Sequence, residues 1–125
     1  MRRVVITGAG TINALAHDVD GTYKALREGR CGIGPLEIRD VDRLSVKIGA
    51  QVRGFDEAAH FNRQQITLYD RFTQFAMIAA RQAMHQSGLE ISGELADRAG
   101  VVFGTTGGGL TTQDENYRAV YEEGK

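Results

Sequence analysis

The stretch Arg2-Arg3-Val4-Val5-Ile6-Thr7-Gly8-Ala9-Gly10 decides how this chain is read. Two arginines lead into three β-branched residues, and the run ends in a Thr-Gly-Ala-Gly turn. Val4, Val5 and Ile6 show no apolar/polar alternation. A run that is apolar on both sides predicts a strand inside a parallel sheet, covered on both faces. Residues 3–7 are therefore predicted to be a central strand. The glycines after it let the backbone turn where a Cβ would clash.

Strand, glycine turn and helix also open a dinucleotide-binding fold, where a third glycine lets the helix pack closely and a pyrophosphate sits on the helix N-terminus. Gly8 and Gly10 fit the first two glycines of G-x-G-x-x-G, but Asn13 holds the third position. In the related T-G-x-x-x-G-x-G pattern, Ile12 and Ala14 stand where glycines belong. No acidic residue closes a second strand about 20 positions on. The Rossmann-type reading is kept as a minor alternative.

Farther on, Arg98-Ala99-Gly100-Val101-Val102-Phe103-Gly104 repeats the opening logic, with a charged residue, three apolar residues and a glycine. It is predicted to be a second central parallel strand beside the first. Between the two, Asp18 is the expected N-cap of a helix running to about Glu28, with Gly29 as its stop and Val19, Tyr23 and Leu26 on the buried face. Residues 30–35 hold three glycines and are expected to be a loop. Val46, Ile48, Ala50 and Val52 alternate with polar residues and glycine, as in a half-exposed strand or ribbon.

Asn62 with Gln65 makes a weak capping box, and Thr67 with Asp70 a looser one. A helix over about 68–87 follows. Leu68, Phe72, Phe75, Ala76, Ala79, Ala80 and Ala83 form its apolar stripe, with Gln74, Arg81, His85 and Gln86 largely opposite and Gly88 closing it. The alanines make one side almost smooth, so a neighbouring element can approach closely. After the loop 104–109, Thr112 with Glu115 reads as a capping box for a helix over 116–123, burying Tyr117, Val120 and Tyr121. Strands with intervening helices mean an α/β fold with a parallel sheet.

The 125 residues suffice for one modest domain. Fifteen basic and 16 acidic side chains leave a net charge of −1 with no basic block, which argues against a nucleic-acid partner. No apolar run approaches the ~20 residues of a membrane span, and the N-terminus lacks the apolar region of a signal peptide. A cytoplasmic location follows as an expectation. The single cysteine, Cys31, cannot form an internal disulfide, which agrees with a reducing compartment. It stands beside Arg30, but in a glycine loop it is expected to be only a small side chain. His17, His60 and His85 are too far apart in sequence for a metal motif.

Five segments in register resemble the β-ketoacyl-acyl carrier protein synthases, and most of all the elongating type II bacterial enzymes. They are the opening run; Lys24-Ala25-Leu26 with Glu28-Gly29 and Gly32-Ile33; Lys47 to Val52 with Phe55-Asp56; Asp70-Arg71-Phe72 with Gln74-Phe75-Ala76 and Ser87-Gly88-Leu89; and Val102-Phe103-Gly104-Thr105 with Gly107-Gly108-Gly109. Departures are mild: Cys31 stands where a serine is usual, and Ala14-Leu15-Ala16 replaces the commoner Leu-Gly pairing.

The resemblance implies a thiolase-like, layered α-β-α fold. Residues 1–125 would be a partial N-terminal domain, the first portion of the N-terminal half. The reaction implied is decarboxylating Claisen condensation of an acyl thioester with malonyl-acyl carrier protein, without a cofactor. The family's cysteine nucleophile and two catalytic histidines lie later, so no catalytic residue is assigned here and a fragment of this extent is expected to be inactive. Implied partners are acyl carrier protein, acyl and malonyl thioesters, and a second copy in a homodimer, with neither nucleic acid nor membrane. Thr106, Gly107 and Gly108 fall on the loop that lines the acyl pocket, Gly107 where elongating synthases carry either a bulky residue or glycine. The alternative outside enzymology is a module whose role is pairing, because two buried strands without neighbours leave edges and apolar faces uncovered.

Overall fold

The computed structural model describes residues 3–124; Met1, Lys125 and the first residue of the opening run, Arg2, lie outside that range. The molecule is organised around one long helix, α3 (Arg71–Ser87). Before it come α1 (Val19–Arg27), the ribbon β1 (Ile33–Pro35) with β2 (Ile48–Ala50), and α2 (Arg63–Leu68). After it come α4 (Glu94–Arg98) and α5 (Leu110–Tyr121).

The smooth alanine side of α3 receives the opening turn. A Cβ built on Gly8 would overlap the Ala83 carbonyl and approach Ser87 N to 3.0 Å. One built on Gly10 would overlap the Ala79 carbonyl. Two residues of extended chain advance about 6.6 Å and four residues of helix about 6 Å, so alternate glycines meet successive turns. The residue after each glycine is held by a polar side chain from the same helix. Ala9 N–H donates to Gln86 Oε1 at 2.6 Å, and Thr11 N–H to Gln82 Oε1 at 3.0 Å. Gln82 also donates through Nε2 to the His17 carbonyl at 2.6 Å.

This docking closes the dinucleotide reading. Carbonyls of α3 stand against the glycines that would have cradled a pyrophosphate, and the next helix begins only at Val19. Asn13 serves instead as the hub of a turn. Its Oδ1 accepts from Leu15 N at 2.8 Å and Ala16 N at 3.3 Å, while Nδ2 donates to Thr22 Oγ1 of α1 at 2.9 Å.

Several caps are as expected. Asp18 accepts from Gly21 N at 2.6 Å, Asn62 and Gln65 form a reciprocal capping box, and Gly88 ends α3 at φ 63°. The α1 face is a correction. Ala25 is its buried residue, whereas Tyr23 and Leu26 are exposed, because Gly21 and Thr22 turn toward residues 13–18. The long helix is also broken. Tyr69 and Asp70 separate α2 from α3, and Thr67 Oγ1 donates to the Arg63 carbonyl rather than capping.

Burial around α3 differs from the simple apolar stripe. Gln74 and Ile78 are its buried residues, while Ala80 is exposed. The helix is covered on two adjacent sides, by the glycine turn and by the segment around Phe61 and Tyr69. Phe61 and Tyr69 meet edge to face at 6.1 Å, Arg81 lies over Phe61, and Gln74 Nε2 donates to the Tyr69 carbonyl at 3.0 Å. A periodicity count cannot foresee a glutamine whose amide supports the incoming chain.

The expected loop at 30–35 contains β1, antiparallel to β2 with Gly34 opposite Gly49. Glycine at these positions clears space: a Cβ on Gly34 would crowd the Arg53 guanidinium at 3.2 Å, and one on Gly49 the Leu36 side chain at 2.6 Å. Arg53 spans the ribbon, reaching the Pro35 carbonyl at 2.7 Å and Glu37 at 3.2 Å. Ile48 and Ala50 consequently face outward and Gly49 inward, the reverse of the side the alternation marks as apolar.

The two segments read as central strands join no ladder among the described residues, where the sheet is β1–β2 alone. Val4 is 92% exposed and Val102 fully so. Tyr117, Val120 and Tyr121 of α5 are exposed too, and that helix starts at Leu110, ahead of the expected cap at Thr112. Strand pairing needs a hydrogen-bonding neighbour about 4.8 Å away, and the described residues place none beside these segments. Among the described residues the buried apolar ones are Ala25, Phe61 and Ile78. Such burial contributes about 1.5–3 kcal/mol per large side chain, against about 1–2 kcal/mol of backbone entropy for every residue ordered.

Two outcomes follow. The 125-residue chain on its own elutes as a dimer or larger on size exclusion with light scattering, because its apolar segments seek cover; a stable monomer is the contrary result. Gly10→Ala lowers stability by about 1–3 kcal/mol through overpacking against Ala79, whereas Gly104→Ala, with open space around its Cβ, leaves the urea midpoint nearly unchanged.

Candidate functional site

The loop 104–109 carries Thr106, Gly107 and Gly108, and the fold brings it onto the N-terminus of α3. Gly108 adopts φ 61°, a left-handed conformation that suits glycine, and a Cβ there would lie 4.0 Å from the tip of Phe72. Its N–H donates to Thr105 Oγ1 at 3.2 Å. Gly109 passes so close to Asp70 that a Cβ would run into the carboxylate. Thr112 Oγ1, on the first turn of α5, donates to Asp70 Oδ1. The expected Thr112–Glu115 capping box is therefore replaced by a contact spanning 42 positions in sequence. Sequence spacing could not reveal it, because the partner stands on another helix.

Gly107 is exposed, and its φ lies outside the left-handed range. A Cβ added there would come 3.1 Å from Leu110 Cδ1. Leu110 in turn borders a cleft of about 780 Å³ between the ribbon and α5, with Phe75 and Ile38 among its apolar walls and Arg71 at its side. Arg71 is held by the Val52 carbonyl at 3.0 Å and lies over the rings of Phe55 and Phe75. Thr106 is exposed.

On the outer side, Arg118 of α5 pairs with Asp114 at 2.9 Å and with Asp40 at 3.2 Å, tying the helix to the turn before Val41. The Asp114 hydrogen bond and charge, with the charges of Glu122 and Asp40, raise its pKa above the ordinary guanidinium value.

The lone cysteine and the histidines have structural surroundings. Cys31 is exposed, and the neighbouring Arg30 pairs with Glu28 at 3.0 Å rather than with the thiol. His17 Nε2 donates to the Arg53 carbonyl at 2.9 Å. His60 stacks on Phe55 at 5.8 Å, and His17 meets the same ring edge-on. His85 is exposed on the last turn of α3. No helix among the described residues is long and apolar enough to cross a membrane.

The family model for "Beta-ketoacyl synthase, N-terminal domain" matches residues 1–125. The chain belongs to the β-ketoacyl synthase family. It is 41% identical over 123 residues to 3-oxoacyl-[acyl-carrier-protein] synthase 2 of Coxiella burnetii, covering 98% of this chain and 30% of that protein. Nodulation protein E of a Rhizobium species is 38% identical over the same length and coverage. Among solved structures, the ishigamide ketosynthase/chain length factor superposes with a TM-score of 0.81 at 26% identity, over 99% of this chain and 31% of its own. The fold is thus the thiolase-like α/β class of the ketosynthases. The chain spans about 30% of the length of these curated relatives.

Proposed function

We propose that this chain acts as the opening part of a 3-oxoacyl-acyl carrier protein synthase, in which loop 104–109 lines the acyl pocket and Gly107 sets how much room the growing chain has. The whole enzyme condenses an acyl thioester with malonyl-acyl carrier protein, losing carbon dioxide. Its cysteine nucleophile and histidines would come from sequence beyond these residues. The carrier protein delivers both substrates, and the enzyme works as a homodimer in the cytoplasm. Matching relatives of this name support the reaction class. The free, exposed Cys31 suits a reducing compartment.

The observation that carries the pocket reading is the contrast among the three glycines. Gly108 needs its conformation and Gly109 needs its lack of a side chain, but Gly107 is constrained by neither. A side chain there meets only Leu110 at close range, which can give way. That is the pattern of a position free to vary with substrate size. A bulky residue would project from a loop whose flanks are fixed, and would narrow whatever space the loop borders.

The 125 residues alone, assayed with malonyl- and acyl-carrier protein, show no condensation; measurable turnover would overturn the assignment. Gly107→Ile within the complete reading frame folds normally and shifts products toward shorter or slimmer acyl chains. Product analysis across a series of acyl donors checks this, and an unchanged profile counts against the pocket reading.

A further inference from the structure

We propose that Asp70 and Thr112 form a tether that fixes the pose of loop 104–109, making Asp70 a positioning residue for acyl-chain selection. Selection by the loop rests on the pocket reading of Gly107; the tether itself does not.

Asp70 sits at the N-cap of α3, where its carbonyl accepts from Gln74 N at 3.0 Å. Its carboxylate does not cap the helix. The comparable residues behave differently: Asp18, Asp56 and Asn62 each turn the side chain onto an amide of the following turn. Asp70 forgoes that bond and turns to Thr112. Thr112 stands in the first turn of α5, where the residue four back, Gly108, lies outside the helix, and its hydroxyl gives its proton to the Asp70 carboxylate. Asp70 thus leaves a local bond for one that joins α3 to α5.

Gly109 shows that the pairing constrains the loop. Its backbone crosses directly over the carboxylate, at a separation no side chain would permit. Its φ of −82° is open to any residue, so the need for glycine is steric. Phe72, two residues into α3, backs Gly108. The loop is therefore anchored immediately after Gly107, and the anchor sets where Gly107 points. A hydrogen bond to an ionised acceptor is stronger than a neutral one, so its loss should be felt as local opening.

The test uses Thr112→Val, which keeps the shape and removes the hydroxyl, and Thr112→Ser, which keeps the hydroxyl. Asp70→Ala approaches from the other side, all within the complete reading frame. Amide hydrogen exchange over 104–112 should quicken on the order of tenfold in Thr112→Val and Asp70→Ala, remain near wild type in Thr112→Ser, and be no faster in the double variant than in either single one. Acyl-chain profiles should broaden in the same variants and recover with serine. Unchanged exchange in Thr112→Val overturns the tether. Faster exchange with an unchanged profile, while Gly107→Ile still narrows it, overturns the role in selection and leaves the pocket reading standing. An unchanged profile in Gly107→Ile removes the pocket reading, and exchange then judges the tether alone.

Discussion

Contact between the opening turn and the alanine side of α3 is the constraint on which the rest of the structure depends. Backbone lies against backbone where Gly8 meets Ala83 and Gly10 meets Ala79. Such an approach exists only because neither side presents a bulky Cβ substituent. Gln82 and Gln86 complete it by accepting from the amides that follow each glycine. Gln82 also holds the His17 carbonyl, so the same helix that docks the turn fixes the path of the chain into α1. A glycine pattern that superficially suggests phosphate binding is here a packing device.

From that anchor, α3 gathers the remaining segments by its length. Its middle and far turns hold the glycine turn and Phe61, its first turn carries Arg71 against Phe55, and its N-cap meets α5. Segments that α3 does not touch behave differently. Val4 to Ile6 and Val101 to Phe103 carry strong β-branched and aromatic character yet remain exposed. Their composition suits the interior of a sheet, yet among the described residues they join none.

The loop 104–109 shows how three adjacent glycines can have three different reasons. Gly108 answers to a dihedral angle, Gly109 to a carboxylate beneath it, and Gly107 to neither. Only the last leaves room for evolutionary choice without refolding. Structural tightness on one side of Gly107 and freedom at the position itself set it apart from its two neighbours.

Local rules were legible where the physics is local. Asp18, the Asn62–Gln65 box and the left-handed stop at Gly88 each satisfy bonds within a few residues, so sequence spacing sufficed for them. The smooth alanine side of α3 and the family membership were legible as well. The tertiary structure decided what depends on distant partners: that Gln74 is buried, that Gly34 and Gly49 make way for Arg53 and Leu36, and that Thr112 bonds Asp70 rather than capping its own helix. A side chain's choice between a local and a remote partner turns on where a second element lies, and a linear pattern does not contain that position.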